Sequence, residues 1–192
     1  SKFSKYGVDG YIVPKNDEFF SEYAVIDRLK IISNFDGSAG LAVILKKKNY
    51  LFVDGRYTIQ AQLQSGKLFK IIEIHKFLPH KILKNLTLGF DPNLHTKNQL
   101  FGYFGKSLSL KQIDNNLIDE IYKKKKIKTK KFFSLKSDVV GENYKNKINR
   151  IRKILKSSKA DYIYISAPEN VAWTLNIRGS DNPNSPIPNC RL

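Results

Sequence analysis

The chain has 192 residues, of which 41% are hydrophobic and 27% are charged, and this balance predicts a folded protein with a substantial core rather than a disordered one. It contains no run of eighteen or more apolar residues and no secretory leader, so the sequence predicts neither a membrane span nor export. Cys190 is the single cysteine, which excludes an intrachain disulfide and fits a reducing compartment.

The net charge of the chain is +17 at pH 7, and a strongly basic chain suggests binding to nucleic acid or another polyanion. However, 28 of the 34 basic residues are lysine, whereas arginine is the better ligand for phosphate groups and guanine edges. The sequence also predicts no strands that carry stacked aromatic residues with interleaved arginine. We therefore favour an ordinary lysine-rich surface and keep a basic module for RNA or another polyanion as the alternative.

The first part of the chain alternates predicted strands and helices. Apolar runs that end at proline, glycine or aspartate predict strands at 8–14, 41–45, 50–53, 68–74, 86–90 and 110–113. Apolar spacing and capping residues predict helices at 16–26, 56–64, 77–83, from 96 onwards and at 118–122. The alternation indicates an α/β fold with helices flanking a sheet, and the predicted hairpin over 41–53 makes that sheet mixed rather than parallel.

A lysine-rich segment at 122–131 separates this part from the rest of the chain. It contains seven lysines, namely Lys123, Lys124, Lys125, Lys126, Lys128, Lys130 and Lys131. We interpret the segment as a solvated edge or linker, and a polyanion-binding patch is the alternative. The change in composition predicts a first domain at 1–135 and a partial second domain at 136–192.

An amphipathic helix opens the second part. Its apolar face carries Ile148, Ile151, Ile154 and Leu155, and its solvent face is predicted to carry Lys147, Arg150 and Lys153. A strand is predicted at 160–166, and a further helix is predicted to begin at Pro168.

Two stretches of the second part repeat stretches of the first. Tyr11-Ile12 and Glu18 recur 151 positions later as Tyr162-Ile163 and Glu169. Residues 176–180 likewise resemble residues 34–38, and both segments lead into a loop with Gly-Ser. The second copy stops before the strands that should follow, so we expect an incomplete α/β unit of the same kind with unpaired sheet edges.

The glycine-rich loop at 37–40 is the first candidate for chemistry. It runs from a predicted helix into a strand, whereas a phosphate-binding loop runs from a strand into a helix whose N-terminus faces the anion. Ser38 also lacks the glycine that a nucleophile elbow requires two residues before the serine, because Asp36 stands there. Gly37 and Gly40 therefore predict positive φ angles and tight packing rather than a ligand site.

The titratable residues form no complete catalytic set. The three histidines, His75, His80 and His95, do not lie at metal-binding spacing on one predicted helix, so each is predicted to be a surface or internally hydrogen-bonded residue. Asp54 is expected to cap the helix that begins near Arg56. Asp36 is expected to bond to the backbone within its own turn.

Five short motifs occur in a fixed order along the first part of the chain, namely Asp9–Pro14, Ser21-Glu22-Tyr23, Gly37-Ser38-Ala39-Gly40, Asp54-Gly55-Arg56-Tyr57 with Gln60-Ala61, and Phe90-Asp91-Pro92. This ordered set resembles the amino-terminal domain of aminopeptidase P, the Xaa-Pro aminopeptidases of the creatinase/prolidase superfamily. Residues 172–181 resemble the start of the middle domain of the three-domain members. The resemblance covers nearly the whole chain.

The resemblance implies a mixed α/β domain that shapes homodimers and restricts access to an active site. It implies a cytosolic exopeptidase that removes an N-terminal residue preceding proline, whose tertiary amide resists ordinary peptidases. Members use two metal ions, usually manganese, held by two Asp, one His and two Glu of a carboxy-terminal "pita-bread" domain, and the shared hydroxide attacks the scissile carbonyl. No residue of this chain matches those ligands, so the resemblance implies that the catalytic domain, the catalytic residues and the metal ligands are all missing here.

The resemblance also assigns roles to individual residues. A structural signature is expected at Asp36, Gly37, Ser38, Gly40, Asp54, Gly55, Arg56 and Tyr57. Within it, the guanidinium of Arg56 is expected to bridge carbonyls or a carboxylate such as Asp36. Arg178 and Asp181 match the middle-domain signature and are expected near the substrate entrance.

Overall fold

The computed structural model describes residues 2–21, 24–122, 130–182 and 184–192. The chain divides into two compact units, at 1–125 and 126–192. Most of the predicted lysine-rich segment, including Lys123, Lys124, Lys125, Lys126 and Lys128, lies outside the described residues. Across the described residues, none of the helices is long and apolar enough to cross a membrane.

The first unit is built on a six-stranded mixed sheet. Its strands are β1 (Gly10–Pro14), β2 (Gly40–Leu45), β3 (Asn49–Val53), β4 (Phe69–Glu73), β5 (Thr87–Phe90) and β6 (Ser109–Gln112). They lie in the order β4-β3-β2-β1-β5-β6. Only β2 runs antiparallel to its neighbours β1 and β3, and the other pairs in the sheet are parallel. The mixed sheet predicted from the hairpin is therefore confirmed.

Short helices surround this sheet, at α1 (Lys2–Tyr6), α2 (Arg28–Ser33), α3 (Thr58–Ser65), α4 (Pro79–Ile82), α5 (Lys97–Phe104) and α6 (Leu117–Ile121). Hydrogen bonds from capping side chains fix the residues at which several of these helices begin. Thr96 and Gln99 form a reciprocal capping box on α5, and Asn116 accepts two backbone N–H groups at the start of α6. A 3-10 turn at Gly55–Tyr57 leads into α3, and its N-cap is Asp54 as predicted.

The helix predicted over 16–26 is wrong for residues 16–21 and 24–26, which form turns and bends, and its members Glu22 and Tyr23 lie outside the described residues. The carboxylate of Asp17 accepts hydrogen bonds from the backbone N–H groups of Phe19 and Ser21, both at 3.0 Å, and these bonds hold a turn in place of a helix. The helix begins eleven residues after Asp17, at α2, where Asp27 accepts the N–H of Lys30 and serves as N-cap. Burial raises the pKa of Asp17.

Strand β1 lies in the interior of the sheet, and its side chains pack into a hydrophobic core on each face of the sheet. The side chains of Tyr11 and Val13 join a core formed with Leu29 of α2 and Leu117 of α6. The side chain of Ile12 points to the opposite face, where the core includes Leu100 and Phe104 of α5 and Leu83. A strand buried on both faces reads as a continuous apolar run, which is why its sequence was recognisable.

A buried ion pair joins two helices on one face of the sheet. The Nε and Nη2 atoms of Arg28 donate to the two carboxylate oxygens of Asp119 at 2.9 and 2.8 Å. Arg28 is only 4% exposed, and its Nη1 lies 3.8 Å from the carboxylate of Glu18. This two-point geometry fixes α2 against α6.

The second unit contains helices α7 (Tyr144–Ser157) and α8 (Pro168–Leu175) and a small antiparallel sheet of β7 (Phe133–Ser134) and β8 (Ile177–Arg178). Because β7 pairs with β8, it belongs to the second unit. This strand lies just before the domain boundary that the sequence predicts at 135/136. The prediction of a strand at 160–166 is wrong. These residues form no ladder of hydrogen bonds with another strand.

Lys147 was expected on the solvent face of α7, and this expectation is wrong. The residue is buried, and its Nζ donates to the backbone oxygen of Trp173 and to Oδ1 of Asn176, both at 2.7 Å. The same Nζ lies 4.0 Å from the centroid of the Trp173 ring. Lys147 precedes Ile151 and Ile154 by four and seven positions, so it shares their helix face.

The internal repeat has a structural counterpart in both units. Asn34 ends α2 with φ 63°, and Asn176 ends α8 with φ 54°. Both residues adopt the left-handed conformation that terminates helices, and asparagine tolerates it better than most residues. The two copies of the repeat therefore end their helices in the same way.

We predict that Arg28→Ala lowers the free energy of unfolding of the first unit by about 2–5 kcal/mol, because it removes a buried guanidinium and its two hydrogen bonds to the partly buried carboxylate of Asp119. Arg56→Ala is the matched control, since its ion pair with Asp54 is exposed to solvent and is expected to contribute little to stability. Urea unfolding followed by circular dichroism measures both. Equal losses for the two variants would contradict the assigned importance of the buried pair.

We also predict that the two units unfold separately. Trp173 is the only tryptophan of the chain and lies in the second unit, whose exposed apolar side chains include Ile154, Tyr162 and Tyr164. Its fluorescence should therefore report unfolding at a lower urea concentration than the far-ultraviolet ellipticity, which the first unit dominates. Coincident transitions from the two probes would show one cooperative fold.

Candidate functional site

A cavity of about 280 Å³ lies in the first unit, at the carboxyl ends of β1, β3 and β4. Open α/β sheets commonly bind ligands at this edge. Its apolar wall includes Leu41, Phe52 and Ile74, and its polar groups come from Asn16, Asp54, His75, His95, Gln99 and Tyr103. Two members of the predicted signature, Gly40 and Asp54, line this cavity together with two of the three histidines.

The carboxylate of Asp54 is held mainly by Arg56, two residues further along the chain. Its Oδ1 accepts the backbone N–H of Arg56 at 3.0 Å and the side-chain Nε of Arg56 at 2.9 Å, and Oδ2 lies 3.6 Å from Nε2 of His75. The hydrogen bond from the Arg56 side chain is the main reason that the pKa of Asp54 falls to about 2. Asp54 is therefore a permanent carboxylate at neutral pH.

Arg56 was expected to bond carbonyls or a carboxylate such as Asp36, and the carboxylate that it bonds is that of Asp54. Arg56 is exposed, pairs with Asp54 and lies with its guanidinium carbon 5.2 Å from the centroid of the Tyr57 ring. The reason is local, because the 3-10 turn brings the Arg56 side chain back over its own N-cap residue. Arg56 therefore belongs to an exposed turn rather than to a buried network.

Asp36 contacts α3 instead of its own turn, which corrects the expected backbone bond. Its Oδ1 accepts from the Nε2 atoms of Gln60 and Gln64, both at 2.7 Å. These bonds, that from Gln64 first, hold the pKa of Asp36 below its ordinary value. The glycine-rich loop is thereby fixed to α3 by two amide side chains.

The rest of the loop packs around Phe35. A Cβ atom on Gly37 would lie 2.3 Å from Cζ of Phe35, and one on Gly40 would lie 3.1 Å from its Cε1. Neither glycine has a positive φ angle, so close packing alone explains both, and the conformational part of that prediction is wrong. The hydroxyl groups of Ser38 and Tyr57 lie 2.9 Å apart, and the Tyr57 ring meets Phe35 edge-on at 5.9 Å.

Gly55 completes the signature beside Asp54. A Cβ atom at this position would lie 3.2 Å from the carboxylate of Glu73 on β4. The eight residues of the predicted structural signature thus fall into two groups of contacts. One group fixes the glycine-rich loop to α3, and the other forms the turn that leads into α3.

His95 is the cavity residue whose surroundings were predicted wrongly from the sequence. Its Nε2 is buried without a hydrogen-bond partner, and its ring meets Phe90 edge-on at 5.9 Å. Burial lowers the pKa of His95 to about 4, so the imidazole is neutral at pH 7. The prediction of a surface or hydrogen-bonded histidine holds for His75, which is exposed, and for His80, whose Nδ1 lies 3.0 Å from the oxygen of Tyr103.

The described ranges contain no group of three or more His, Cys, Asp or Glu side chains arranged to hold a metal ion. The contact between Asp54 and His75 supplies two such groups, which is fewer than a two-metal centre needs. The described residues therefore do not fit a dinuclear metal site.

In the second unit, Asp181 closes a loop. One carboxylate oxygen accepts the backbone N–H of Lys130 at 3.2 Å, and the other accepts that of Asn189 at 3.0 Å. Arg178 lies on β8 opposite Phe133, and its Nη1 donates to the backbone oxygen of Ile177 at 2.8 Å. The two predicted entrance residues thus have separate local partners.

Comparison with known proteins identifies the fold. Residues 1–120 match the model of the creatinase/prolidase N-terminal domain, and residues 123–192 match a second model of the same description. A crystal structure of an X-prolyl aminopeptidase from Caenorhabditis elegans, described as a cytosolic enzyme with a di-nuclear active site, superposes with a TM-score of 0.81 at 28% identity. That match covers 94% of this chain and 32% of the nematode chain.

Curated relatives give the same result. A probable Xaa-Pro aminopeptidase P of Laccaria bicolor is 33% identical over a match that covers 95% of this chain and 31% of the relative. The Xaa-Pro aminopeptidase ApepP of Drosophila melanogaster is 33% identical, with 94% of this chain and 32% of the relative covered. The chain therefore spans about a third of the length of these relatives.

We predict that acid destabilises the protein through His95. The unfolded chain binds a proton near pH 6.5, whereas the folded chain binds it only near pH 4. The contribution to stability is therefore complete above pH 6.5 and is lost progressively below it, by about 2–3 kcal/mol at pH 4.5.

Urea unfolding at pH 7 and pH 4.5 tests this prediction. His95→Gln should remove that part of the pH dependence, and His75→Gln, at an exposed site, should retain it. Nuclear magnetic resonance titration of the imidazole gives the pKa of His95 directly. A midpoint near 6.5 would show that the ring is solvated.

Proposed function

Because this chain belongs to the family of creatinase/prolidase N-terminal domains, we propose that it forms the non-catalytic amino-terminal part of a metal-dependent aminopeptidase. That enzyme would remove the N-terminal residue that precedes proline in a peptide. The observation that carries the proposal is the match of 94–95% of the chain to about a third of several Xaa-Pro aminopeptidases.

The geometry of the first unit supports a structural role for the signature residues. Asp36, Ser38 and Tyr57 are engaged in bonds that join the glycine-rich loop to α3. Asp54 and Arg56 are engaged with each other at the turn before α3. These side chains stabilise the carboxyl edge of the sheet, which is the role that a scaffold domain needs.

The whole enzyme is proposed to be a cytoplasmic homodimer in which this part contributes to assembly and to control of access to the active site. The cytosolic nematode relative supports the location. Its di-nuclear active site supports two divalent metal ions, which we propose to be manganese. Since the described residues do not fit such a centre, the ligands would come from a part of the enzyme outside these 192 residues.

Arg178 and Asp181 are proposed to lie near the substrate entrance of that enzyme. Asp181 holds the loop that follows β8 through two backbone N–H groups. That loop would set the position of Arg178, whose side chain is partly exposed. The division into an N-terminal domain, predicted at 1–135, and a partial middle domain, predicted at 136–192, belongs to the same proposal, with β7 assigned to the middle domain because it pairs with β8.

We predict that the chain alone hydrolyses no Xaa-Pro-Xaa tripeptide when manganese is added. Product formation should equal that of a blank that contains manganese without protein, since catalysis would need ligands that another part of the enzyme supplies. Asp54→Asn is the matched control, because it alters a carboxylate that lies 3.6 Å from a histidine of the cavity, His75. Turnover above the blank that disappears in Asp54→Asn would place the active site in this chain and overturn the proposal.

A salt titration of RNA binding separates this function from the basic-module alternative. A chain of net charge +17 should bind single-stranded RNA only through phosphates. We therefore expect dissociation constants weaker than about 1 μM at physiological salt and a steep loss of affinity as salt rises. Tighter binding that resists salt would favour the RNA-binding alternative.

A further inference from the structure

The sheet of the first unit brings together five short segments that lie apart in the sequence. Strands β1, β3, β4, β5 and β6 all run in one direction, and β2 runs against them. The segments that lead into these five strands therefore meet at one edge of the sheet, which we call the amino edge. They are residues 7–9, 46–48, 66–68, 83–86 and 105–108.

The amino edge is strongly basic. Its segments contain six lysines, namely Lys46, Lys47, Lys48, Lys67, Lys84 and Lys106. All six are exposed, and none of them forms an ion pair with a carboxylate that the structure describes. Asp9 is the single acidic residue of these segments, and its carboxylate accepts the backbone N–H of Thr87 at 2.9 Å. The formal charge of the amino edge is thus +5.

The opposite edge of the same sheet is rich in carboxylates. The segments that follow β1, β3, β5 and β6 or precede β2 contain Asp17, Glu18, Asp36, Asp54, Asp91 and Asp114. The first unit is therefore polarised along the direction of its strands. An anionic surface would be attracted to the amino edge and repelled by the other, so this charge distribution sets the orientation of an encounter.

The lysines are close enough to act together. Neighbouring strands lie about 4.8 Å apart, so a six-stranded sheet presents an edge about 24 Å wide. Lys67 precedes β4, the neighbour of β3, and the three lysines at 46–48 form the tip that joins β2 to β3. Such spacings are shorter than the Debye length of about 10 Å at 0.1 M salt. The amino edge therefore presents a broad band of positive charge rather than a pocket for one anion.

The side chains at the amino edge favour a lipid surface over RNA. Its five segments contain no arginine and no aromatic residue, whereas RNA recognition depends on guanidinium forks and on stacked rings. They contain instead an exposed aliphatic side chain, since Leu68, beside Lys67, is 70% exposed. Lysines around a protruding leucine match anionic headgroups that overlie hydrocarbon.

We propose that the amino edge of the first unit docks on an anionic membrane surface. The six lysines lie at the level of the lipid headgroups, and Leu68 inserts between them. Each lysine near such a surface strengthens binding by about fivefold, and burial of the leucine side chain adds to the affinity. This peripheral contact goes beyond the proposed peptidase assignment and does not depend on it.

The test is cosedimentation of the full chain with lipid vesicles. We expect binding to phosphatidylcholine vesicles that contain about 30% phosphatidylserine, no binding to phosphatidylcholine alone, and a loss of affinity as salt rises. The triple variant Lys46→Gln, Lys47→Gln, Lys48→Gln should lower the partition coefficient by about 100-fold. Its circular dichroism spectrum should be unchanged, because these lysines have no described carboxylate partner.

A second triple variant is the matched control. Lys145→Gln, Lys153→Gln, Lys156→Gln removes the same charge from exposed positions of α7, in the second unit, and should change the partition coefficient by less than about fivefold. The inserted side chain has its own pair. Leu68→Gln should weaken binding by about fivefold, whereas Ile59→Gln, at a residue that is 77% exposed near the opposite edge, should leave it unchanged.

Four results would overturn the proposal. The first is absence of binding to the anionic vesicles, and the second is equal binding to vesicles without phosphatidylserine. The third is an equal or larger loss in the α7 variant, which would place the contact on that helix. The fourth is a single-stranded RNA that, at equal phosphate concentration, binds more tightly than the vesicles and loses affinity in the variant at 46–48, since the amino edge would then be a nucleic-acid surface.

Discussion

An interior strand of a sheet is stable only when both of its edges and both of its faces are covered, because each uncovered N–H, C=O and apolar side chain must otherwise be solvated. In the first unit β1 meets this requirement, with β2 on one edge and β5 on the other. Its side chains enter a core on each face. The placement of the helices follows from this strand, since α2 and α6 cover one face and are joined by the buried pair of Arg28 and Asp119.

The same requirement explains the candidate site. The chain must leave the sheet at the carboxyl ends of β1 and β3 and return through tight connections. The glycine-rich loop does this by packing Gly37 and Gly40 against Phe35 and by fixing Asp36 to the glutamines of α3. The contacts of the glycine-rich loop and of the turn before α3 are therefore explained by the way the chain closes the sheet at this edge. The second unit repeats the design, with an asparagine in the left-handed conformation at the end of its helix, but its counterpart of β1 is covered at one position only.

Much of this arrangement could be predicted from the sequence, and the failures have identifiable causes. The strands of the first unit were recognisable because continuous apolar runs stopped at proline, glycine or aspartate. The helix at 16–26 was wrong because two aspartates could each act as a cap, and only the tertiary fold places Asp17 in a buried turn and Asp27 at the start of α2. The strand at 160–166 was wrong because periodicity reports the tendency of a segment to pair and carries no information about whether a partner is there.

Single side chains were harder to place than elements. Lys147 was assigned to solvent from its charge, although its spacing from Ile151 put it on the apolar face, where a carbonyl, an amide oxygen and an indole ring bind its ammonium group. His95 gave no sequence signal, since its burial results from the cavity edge, to which separate strands and α5 contribute. Arg56 was expected to bond carbonyls or a carboxylate such as Asp36, and only the 3-10 turn that follows Asp54 shows that its partner is Asp54.

The most direct test of this account compares the two copies of the repeat within one sample. Native-state amide exchange at pH 7 should place Ile12 among the slowest amides of the chain, with an opening free energy above about 4 kcal/mol. Ile163, its counterpart on the uncovered segment, should exchange within about tenfold of the rate of an unstructured peptide. Similar protection at the two residues would contradict the claim that one repeated strand is covered in the first unit and open in the second.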